Sequence, residues 1–410
     1  MEKETFSIVF AGEVDHGKST LIGRVLYETN SLSEEKMKEI DQVSKELGRD
    51  LEWSFIMDSL REEREQNVTI DTTQTFFKTK KRNFIIIDAP GHRDFIKNMM
   101  TGASQAEIAI LLVDAKEGIR DQTKRHLNIL SLIGIKQIIL VVNKMDLVNY
   151  NEQVFKKILS DITPFAEKIN ISIDFAIPIS AKEGENLKEK PKAMPWFSGP
   201  CFLESLDIIN KIDPESSNLY RMPIQDVYKI DDKRIYVGRV DSGSVESNQE
   251  ILISPKNKKT KVKSIEKFLI PETKKAIFGE CIGIITQDHL FLERGDIISG
   301  INNPPTTSKK AIASLYCIES IPIEEKFIFK IGTKEIPGKI LKILEKIDSS
   351  TLEKQTNLSD LKENDFSTVE IEFDEPSAYD YVENCIELSR LVIEKFGNVI
   401  AAGIIQHPSK

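Results

Sequence analysis

Cysteine, histidine and long apolar runs are all scarce in this chain of 410 residues, and each scarcity closes off a class of function. The four cysteines (Cys201, Cys281, Cys317, Cys385) form no C-x-x-C pair, which argues against a zinc ribbon or a disulfide framework and for reduced, mostly buried thiols. The five histidines are too scattered for metal-ligand spacing. No apolar run approaches the roughly 20 residues that cross a bilayer, so no membrane partner is expected. The chain begins Met-Glu-Lys-Glu and enters a strand pattern almost at once, leaving no room for a signal peptide; a cytoplasmic location is the expectation. Basic excess is missing too. Lys and Arg number 56 against 65 Asp and Glu, and the net charge of −9 disfavours broad nonspecific attraction to nucleic acid, DNA included. What remains is the composition of a globular chain, 40% hydrophobic and 30% charged, long enough for two or three domains.

Against that background one stretch stands out: Gly12-Glu13-Val14-Asp15-His16-Gly17-Lys18-Ser19, which reads G-x-x-x-x-G-K-S. An apolar run (Phe6, Ile8, Val9, Phe10) precedes it, and Thr20 to Tyr27 follows with apolar residues at helical spacing. Strand, glycine-rich turn and helix is the context such a phosphate loop needs. The glycines let the backbone close around phosphate oxygens, and the helix N-terminus adds positive potential. Lys18 is expected to reach the β- and γ-phosphates, with Ser19 holding magnesium through its hydroxyl. A surface turn that happens to carry a lysine is the alternative, and the flanking strand and helix weigh against it.

Further motifs follow in order. Ser33 caps a helical pattern through Met37, Ile40, Val43 and Leu47, ended by Gly48. The charged stretch from Asp58 to Asp71 reads as a loop. A threonine in it, Thr69, is placed to complete a magnesium shell only while a γ-phosphate is present. Phe84 to Ile87 is a buried strand running into Asp88-Ala89-Pro90-Gly91-His92. Asp88 can face the metal through water, Gly91 can offer its N–H to the γ-phosphate, and His92 can orient an attacking water. Ile108 to Val113 is another buried strand, and Asp121 to Leu132 a helix. Ile138 to Val142 then enters Asn143-Lys144-Met145-Asp146. An aspartate accepts from guanine N1–H and N2–H2, a donor pair adenine lacks. Asn143 and Lys144 fix the ring, and a backbone N–H of Ser180-Ala181-Lys182 can meet guanine O6. Five motifs in this order make a GTP site with Gly12 to Thr20, Gly91, Asn143, Lys144, Asp146, Ser180 and Ala181.

The expected architecture is an α/β P-loop GTPase domain with a mostly parallel doubly wound sheet, its motifs on the strand-end loops, over residues 1–212. Met194 to Pro200 is an irregular crossing segment before a last helix, Cys201 to Ile209. From Leu219 short β-rich runs separated by turns replace helical spacing, which reads as antiparallel barrels over 219–303 and 308–410, joined by an Asn302-to-Ser308 linker. Lys256, Lys258, Lys259, Lys261 and Lys263 surround a hairpin, read as a solvated tip in preference to a docking surface. Leu352 to Lys362 reads as a loop or a short helix.

With these motifs the chain resembles the translational GTPase superfamily along its whole length. That resemblance implies Thr69 as the switch threonine, His92 as the catalytic histidine, and Val14 with Val68 as an apolar gate. Within the superfamily it looks most like the regulatory GTPase subunit (subunit 1) of bacterial sulfate adenylyltransferase. The stretches carrying that likeness are Leu21 to Tyr27, Glu63-Arg64-Glu65-Gln66, Asn98 to Ser104, Asp121 to His126, Met194 to Pro200 and Phe373-Asp374-Glu375-Pro376. It implies a catalytic ATP-sulfurylase partner that makes adenylylsulfate from ATP and sulfate, with GTP/GDP and Mg2+ on this chain. No S-G-G-x-D-S loop and no second phosphate loop occur here, in keeping with that division of labour. Val14-Asp15-His16 follows the elongation factors instead, and Asn67-Val68 stands where Gly-Ile is usual before Thr69. The rival implication is an elongation-factor-Tu-like carrier of aminoacyl-tRNA to the ribosome. A stand-alone switch that regulates an unknown protein is the third reading.

Overall fold

The computed structural model describes residues 4–32, 38, 53, 56, 74–87, 106–210, 219–230, 233–267, 270–323, 325–348, 353–355 and 360–408. They separate into two compact units, Met1–Ser131 with Ile135–Lys211, and Leu132–Gly134 with Ile212–Lys410.

The first unit is built on a six-stranded sheet of β1 (Thr5–Gly12), β2 (Gln74–Lys78), β3 (Asn83–Ile87), β4 (Ile108–Asp114), β5 (Gln137–Asn143) and β6 (Ser172–Pro178). Its order is β2-β3-β1-β4-β5-β6, parallel throughout except for the antiparallel edge strand β2. The continuous apolar runs of β4 and β5 are buried at every position, as strands covered on both faces must be. Helix α1 (Lys18–Glu28) turns Leu21, Ile22, Val25 and Leu26 into this core. Helices α2 (Asp121–Leu132) and α4 (Phe202–Ile208) lie where helices are expected from the sequence, and α3 (Glu152–Lys168) is a further helix between them. Asn151 caps α3 by accepting from Gln153 N at 2.8 Å, with Glu152 in the first turn and Lys168 in the last, each favourable to the helix dipole. Of the 33–48 helical pattern only Lys38 is among the described residues, and it is helical; the 58–71 loop lies outside them.

The second unit holds two closed antiparallel barrels. In one, β7 (Arg221–Ile230), β8 (Lys233–Arg239), β10 (Glu250–Ser254), β11 (Lys258–Lys267), β14 (Cys281–Thr286) and β15 (Ile297–Gly300) form a ring closed by β10 on β11. β12 (Ile270–Thr273) adds to β11, and β9 (Ser244–Glu246) pairs with β13 (Lys275–Ile277). In the other, β16 (Thr306–Cys317), β17 (Lys326–Ile331), β18 (Lys334–Ile347), β20 (Phe366–Tyr379), β21 (Arg390–Lys395) and β22 (Asn398–Gln406) close through β17 on β18. Closure leaves no strand of either ring with an open edge. Each barrel has its own core, one around Met222, Tyr236, Ile251 and Ile298, the other around Leu315, Phe329, Ile371 and Phe373.

Three expectations need correction. Thr306 to Ser308 are the start of β16 rather than linker, so the connection is shorter than its Asn/Pro/Thr composition suggests. Within the stretch Leu352 to Lys362, the described residues include a short strand rather than a helix: Lys354–Gln355 form β19 against β18, and Leu361 bridges to Ile321. Lys256 is not a solvated tip. Its ammonium lies 2.8 Å from the buried Asp296 and 3.1 Å from Glu293, while Lys258 and Lys259 are exposed as expected. Of the thiols, Cys201, Cys317 and Cys385 are buried and Cys281 is exposed.

Candidate nucleotide site

Strand β1 ends on Gly12, whose φ of 148° opens the phosphate loop; a Cβ there would lie 2.8 Å from the Leu112 carbonyl oxygen. At the far end Gly17 has φ 90°, and a Cβ would stand 2.4 Å from Asn143 Nδ2. Both positions therefore demand glycine for conformation and for space. Between them Asp15 adopts φ 67°, a left-handed geometry that short polar residues tolerate. Gly17 O accepts the first helical bond, from Leu21 N at 2.9 Å. The Lys18 ammonium folds across the loop and donates to Gly12 O at 2.5 Å and Glu13 O at 2.7 Å. Ser19 and Thr20 sit partly buried in the first turn of α1, and Val14 is 84% exposed at the loop tip.

Asn143, the last residue of β5, ties three loops together. Its Nδ2 donates to His16 O at 2.9 Å, and its Oδ1 accepts from Ala181 N at 3.0 Å. The Ala181 amide, one of the three backbone N–H groups of Ser180-Ala181-Lys182 from which a donor to guanine O6 is expected, thus serves this internal brace. Lys144 has φ 61° and places its ammonium 2.8 Å from Asp114 Oδ2. Burial opposes ionisation of Asp114, but hydrogen bonds from Lys144 and from the Lys116 and Glu117 amides outweigh it and hold the carboxyl below its ordinary value. Asp146 follows in a short 3-10 turn, Met145–Val148, anchored by Met145 N donating to Ile179 O at 3.1 Å. Its Oδ1 is buried and accepts no hydrogen bond from the described residues. A buried acceptor left unmatched costs about 1–3 kcal/mol, more for a charged group, so a ligand donor is what this oxygen calls for. Nearby, burial and then the carboxylates of Asp146, Glu185 and Glu183 push the Tyr150 phenol up. Ser180 is fully buried; its Oγ accepts from Glu183 N at 3.3 Å and its carbonyl from Gly184 N at 2.8 Å, shaping the loop beside Asn143.

The structure brings Gly12 to Thr20 together with Asn143, Lys144, Asp146, Ser180 and Ala181 at the C-terminal ends of β1, β5 and β6. Thr69, Asp88, Gly91 and His92, with Val68, lie outside the described residues. Residues that spacing alone did not single out also contribute. Arg24 bonds Glu28 at 3.0 Å and the Lys182 carbonyl at 3.0 Å, and stacks 4.3 Å over the Trp53 ring. It thereby links α1 to the 180–184 loop. Asp114 was hidden at a strand end with no motif of its own.

A model of the elongation factor Tu GTP binding domain matches residues 3–228, and one of the GTP-eEF1A C-terminal domain-like family matches residues 311–406. The chain belongs to the translational GTPase superfamily. Two relatives bracket this translational GTPase. It is 36% identical to "Sulfate adenylyltransferase subunit 1" of Alteromonas mediterranea, over 98% of this chain and 87% of that one. It is 37% identical to "Elongation factor 1-alpha" of Pyrococcus woesei, over 98% of this chain and 97% of that one. Among solved structures it is similar to sup35 complexed with GDP, at 26% identity and a TM-score of 0.46, covering 100% of this chain and 95% of that one. In this translational GTPase the segment from Met194 to Pro200 is a packed brace. Met194 is buried, Trp196 Nε1 donates to Tyr150 O at 3.0 Å, and Trp196 and Phe197 both lie against Phe155 of α3.

Proposed function

We propose that the chain hydrolyses GTP to GDP and phosphate and serves as the regulatory subunit of sulfate adenylyltransferase. The observation carrying the nucleotide reading is the buried, unmatched Asp146 Oδ1 beside an asparagine that braces the phosphate loop. Guanine supplies the donors that oxygen lacks. Lys18, now on loop carbonyls, exchanges them for phosphate oxygens, and Gly12 to Thr20 cradle the rest. Magnesium would be held by Ser19, Thr69 and Asp88, and supplies charge neutralisation of the phosphates. Gly91 would meet the γ-phosphate and His92 would orient the attacking water. Residues 1–212 form the GTP-binding domain in this reading, with one barrel at 219–303 and the other, expected from 308, running from the start of β16 at Thr306 to 410. Two switch loops ordered by the γ-phosphate would bias the partner between two states.

The finer role rests on the stretches shared with sulfate adenylyltransferase subunit 1 and on the relatives that carry that name. In that role the partner performs the ATP chemistry. A second reading, delivery of aminoacyl-tRNA to the ribosome, is favoured by the 37% identity to elongation factor 1-alpha over 97% of its length. Capture from host extract with a non-hydrolysable GTP analogue, against a GDP-loaded control, separates the two. A stoichiometric protein partner with which adenylylsulfate forms faster in the presence of GTP supports the first. Aminoacyl-tRNA retained only in the GTP form, with binding that weakens steeply as salt rises, replaces it by the second.

A further inference from the structure

Sequence spacing offered no metal-ligand pattern, yet the fold brings Glu13 and His16 of the phosphate loop together with Glu117, from the loop after β4. One ligand atom from each lies within 4.8 Å of the others. His16 is 1% exposed. Its Nδ1 faces the Leu112 carbonyl at 3.2 Å; its Nε2 faces Glu117 Oε2 at 3.2 Å and Glu13 Oε2 at 4.0 Å. A carbonyl oxygen only accepts, so Nδ1 carries the hydrogen. The neutral ring then turns the Nε2 lone pair toward two carboxylates that also only accept. Such an arrangement requires a cation at its centre, either a proton on Nε2 or a metal ion.

The surroundings favour the ion. Each ligand is oriented from behind: the Leu112 carbonyl holds the imidazole, and Thr123 Oγ1 donates to Glu13 Oε1 at 3.1 Å, leaving Oε2 toward His16. Asp114 Oδ1 accepts from Glu117 N at 3.3 Å and fixes the turn. Partners of this kind set the tautomer and direction of metal-binding groups. Arg120, 54% exposed, reaches Glu117 Oε2 at 3.3 Å from the solvent side. Bonds of about 2.1 Å in a tetrahedron place ligand atoms about 3.4 Å apart, a value between the two distances to Nε2. One imidazole with two carboxylates suits zinc, manganese, iron(II) or cobalt, whereas magnesium prefers oxygen alone.

We propose that Glu13, His16 and Glu117 bind a divalent transition-metal ion of the zinc class, at a site separate from the magnesium expected at Ser19. The ion staples the phosphate loop to the loop after β4. Because Glu13 and His16 belong to the loop that closes on phosphate, metal and nucleotide each tighten the binding of the other.

The test uses the full chain, stripped with chelator and saturated with GDP and magnesium, then titrated with cobalt(II) and followed by its visible absorption. One equivalent is expected to bind with the intense bands of a four- or five-coordinate ion, displaced one for one by zinc. Glu117→Gln should weaken that uptake by about tenfold or more while the circular dichroism spectrum and the GDP affinity measured without the transition metal are kept. His16→Gln, read by cobalt uptake alone, is the second variant and should abolish the bands. Cobalt uptake that is absent, or unchanged in both variants, overturns the site. So does an imidazolium at His16 by NMR at neutral pH with cobalt refused, since the cation is then a proton.

Discussion

The sheet of the nucleotide unit and the walls of the barrels bury themselves in opposite ways. Strands β4 and β5 are buried at every position and apolar throughout their interiors, with polar residues only at their ends (Asp114, and Gln137 and Asn143). Strand β11 alternates, with Thr260 and Val262 buried between exposed lysines, and the faces of β18 and β20 carry lysine–glutamate pairs. In the first arrangement no polar side chain fits within the strand, so chemistry is confined to the strand ends, where Gly12, Asp114 and Asn143 stand. In the second, every other residue meets water, and polar groups spread over a wall where most are individually dispensable. One region thus concentrates function in a few irreplaceable side chains, and the other distributes charge over many replaceable ones. The exception is the buried charge pair that joins the two barrels, Arg221 at the start of β7 and Asp380 just after β20.

If that contrast holds, substitutions should rank by region and by burial. Removing His92 is expected to have the largest effect: His92→Ala should slow GTP turnover by about 10²–10⁴-fold with GDP affinity nearly intact, in line with loss of a positioned acid–base group. Single-turnover assays with labelled GTP decide it, and unchanged turnover would remove His92 from the chemistry. Next comes a trapped barrel charge. Arg221 and Asp380 are 1% and 2% exposed and meet at 2.5 Å, so Arg221→Met strands a buried carboxylate and should cost about 3–5 kcal/mol of barrel stability. Denaturant unfolding followed by near-ultraviolet signals measures it, with nucleotide affinity as the control expected not to move.

A pH effect follows. Partial burial, and then the Glu387 carboxylate, push Asp241 up to about 7 against the pull of Arg239 and Arg390. A raised carboxyl keeps its proton in the folded state while the unfolded chain ionises. Barrel stability should therefore fall as pH rises from about 4 to about 7 and level off above. Asp241→Asn should flatten that slope in guanidinium midpoints taken across the window. The smallest effect belongs to the barrel wall. Glu370 lies within 3.2 Å of the exposed Lys310 and Lys342, and Glu370→Gln should change stability by less than about 1 kcal/mol. A larger loss would show that the wall is not dispensable.

The same contrast explains what could be read without coordinates. The phosphate loop and Asn143 to Asp146 are contiguous, and their spacing is dictated by the ligand, so they stood out at once. The barrels were legible as alternation and turns, but the pairings that close them, β10 on β11 and β17 on β18, carry no local mark. β2 escaped notice because it is a five-residue edge strand whose Phe76 is exposed while Phe77 is buried. Lys256 looked like one basic residue among five; only the fold sets Asp296 beside it. His16 and Glu117 are separated by 101 positions, and nothing short of the register of β1 on β4 brings them within reach.

The most direct test of the central claim, that the orphan Asp146 oxygen reads guanine, is competition of GTP and xanthosine triphosphate for the wild-type chain and Asp146→Asn. Loss of two hydrogen bonds to a charged group, at about 1.5–3 kcal/mol each, corresponds to a drop of about hundredfold or more in GTP affinity. The variant should gain xanthosine triphosphate, because its amide donates to the 2-oxo group. A variant that still prefers GTP would contradict the assignment and place base recognition elsewhere.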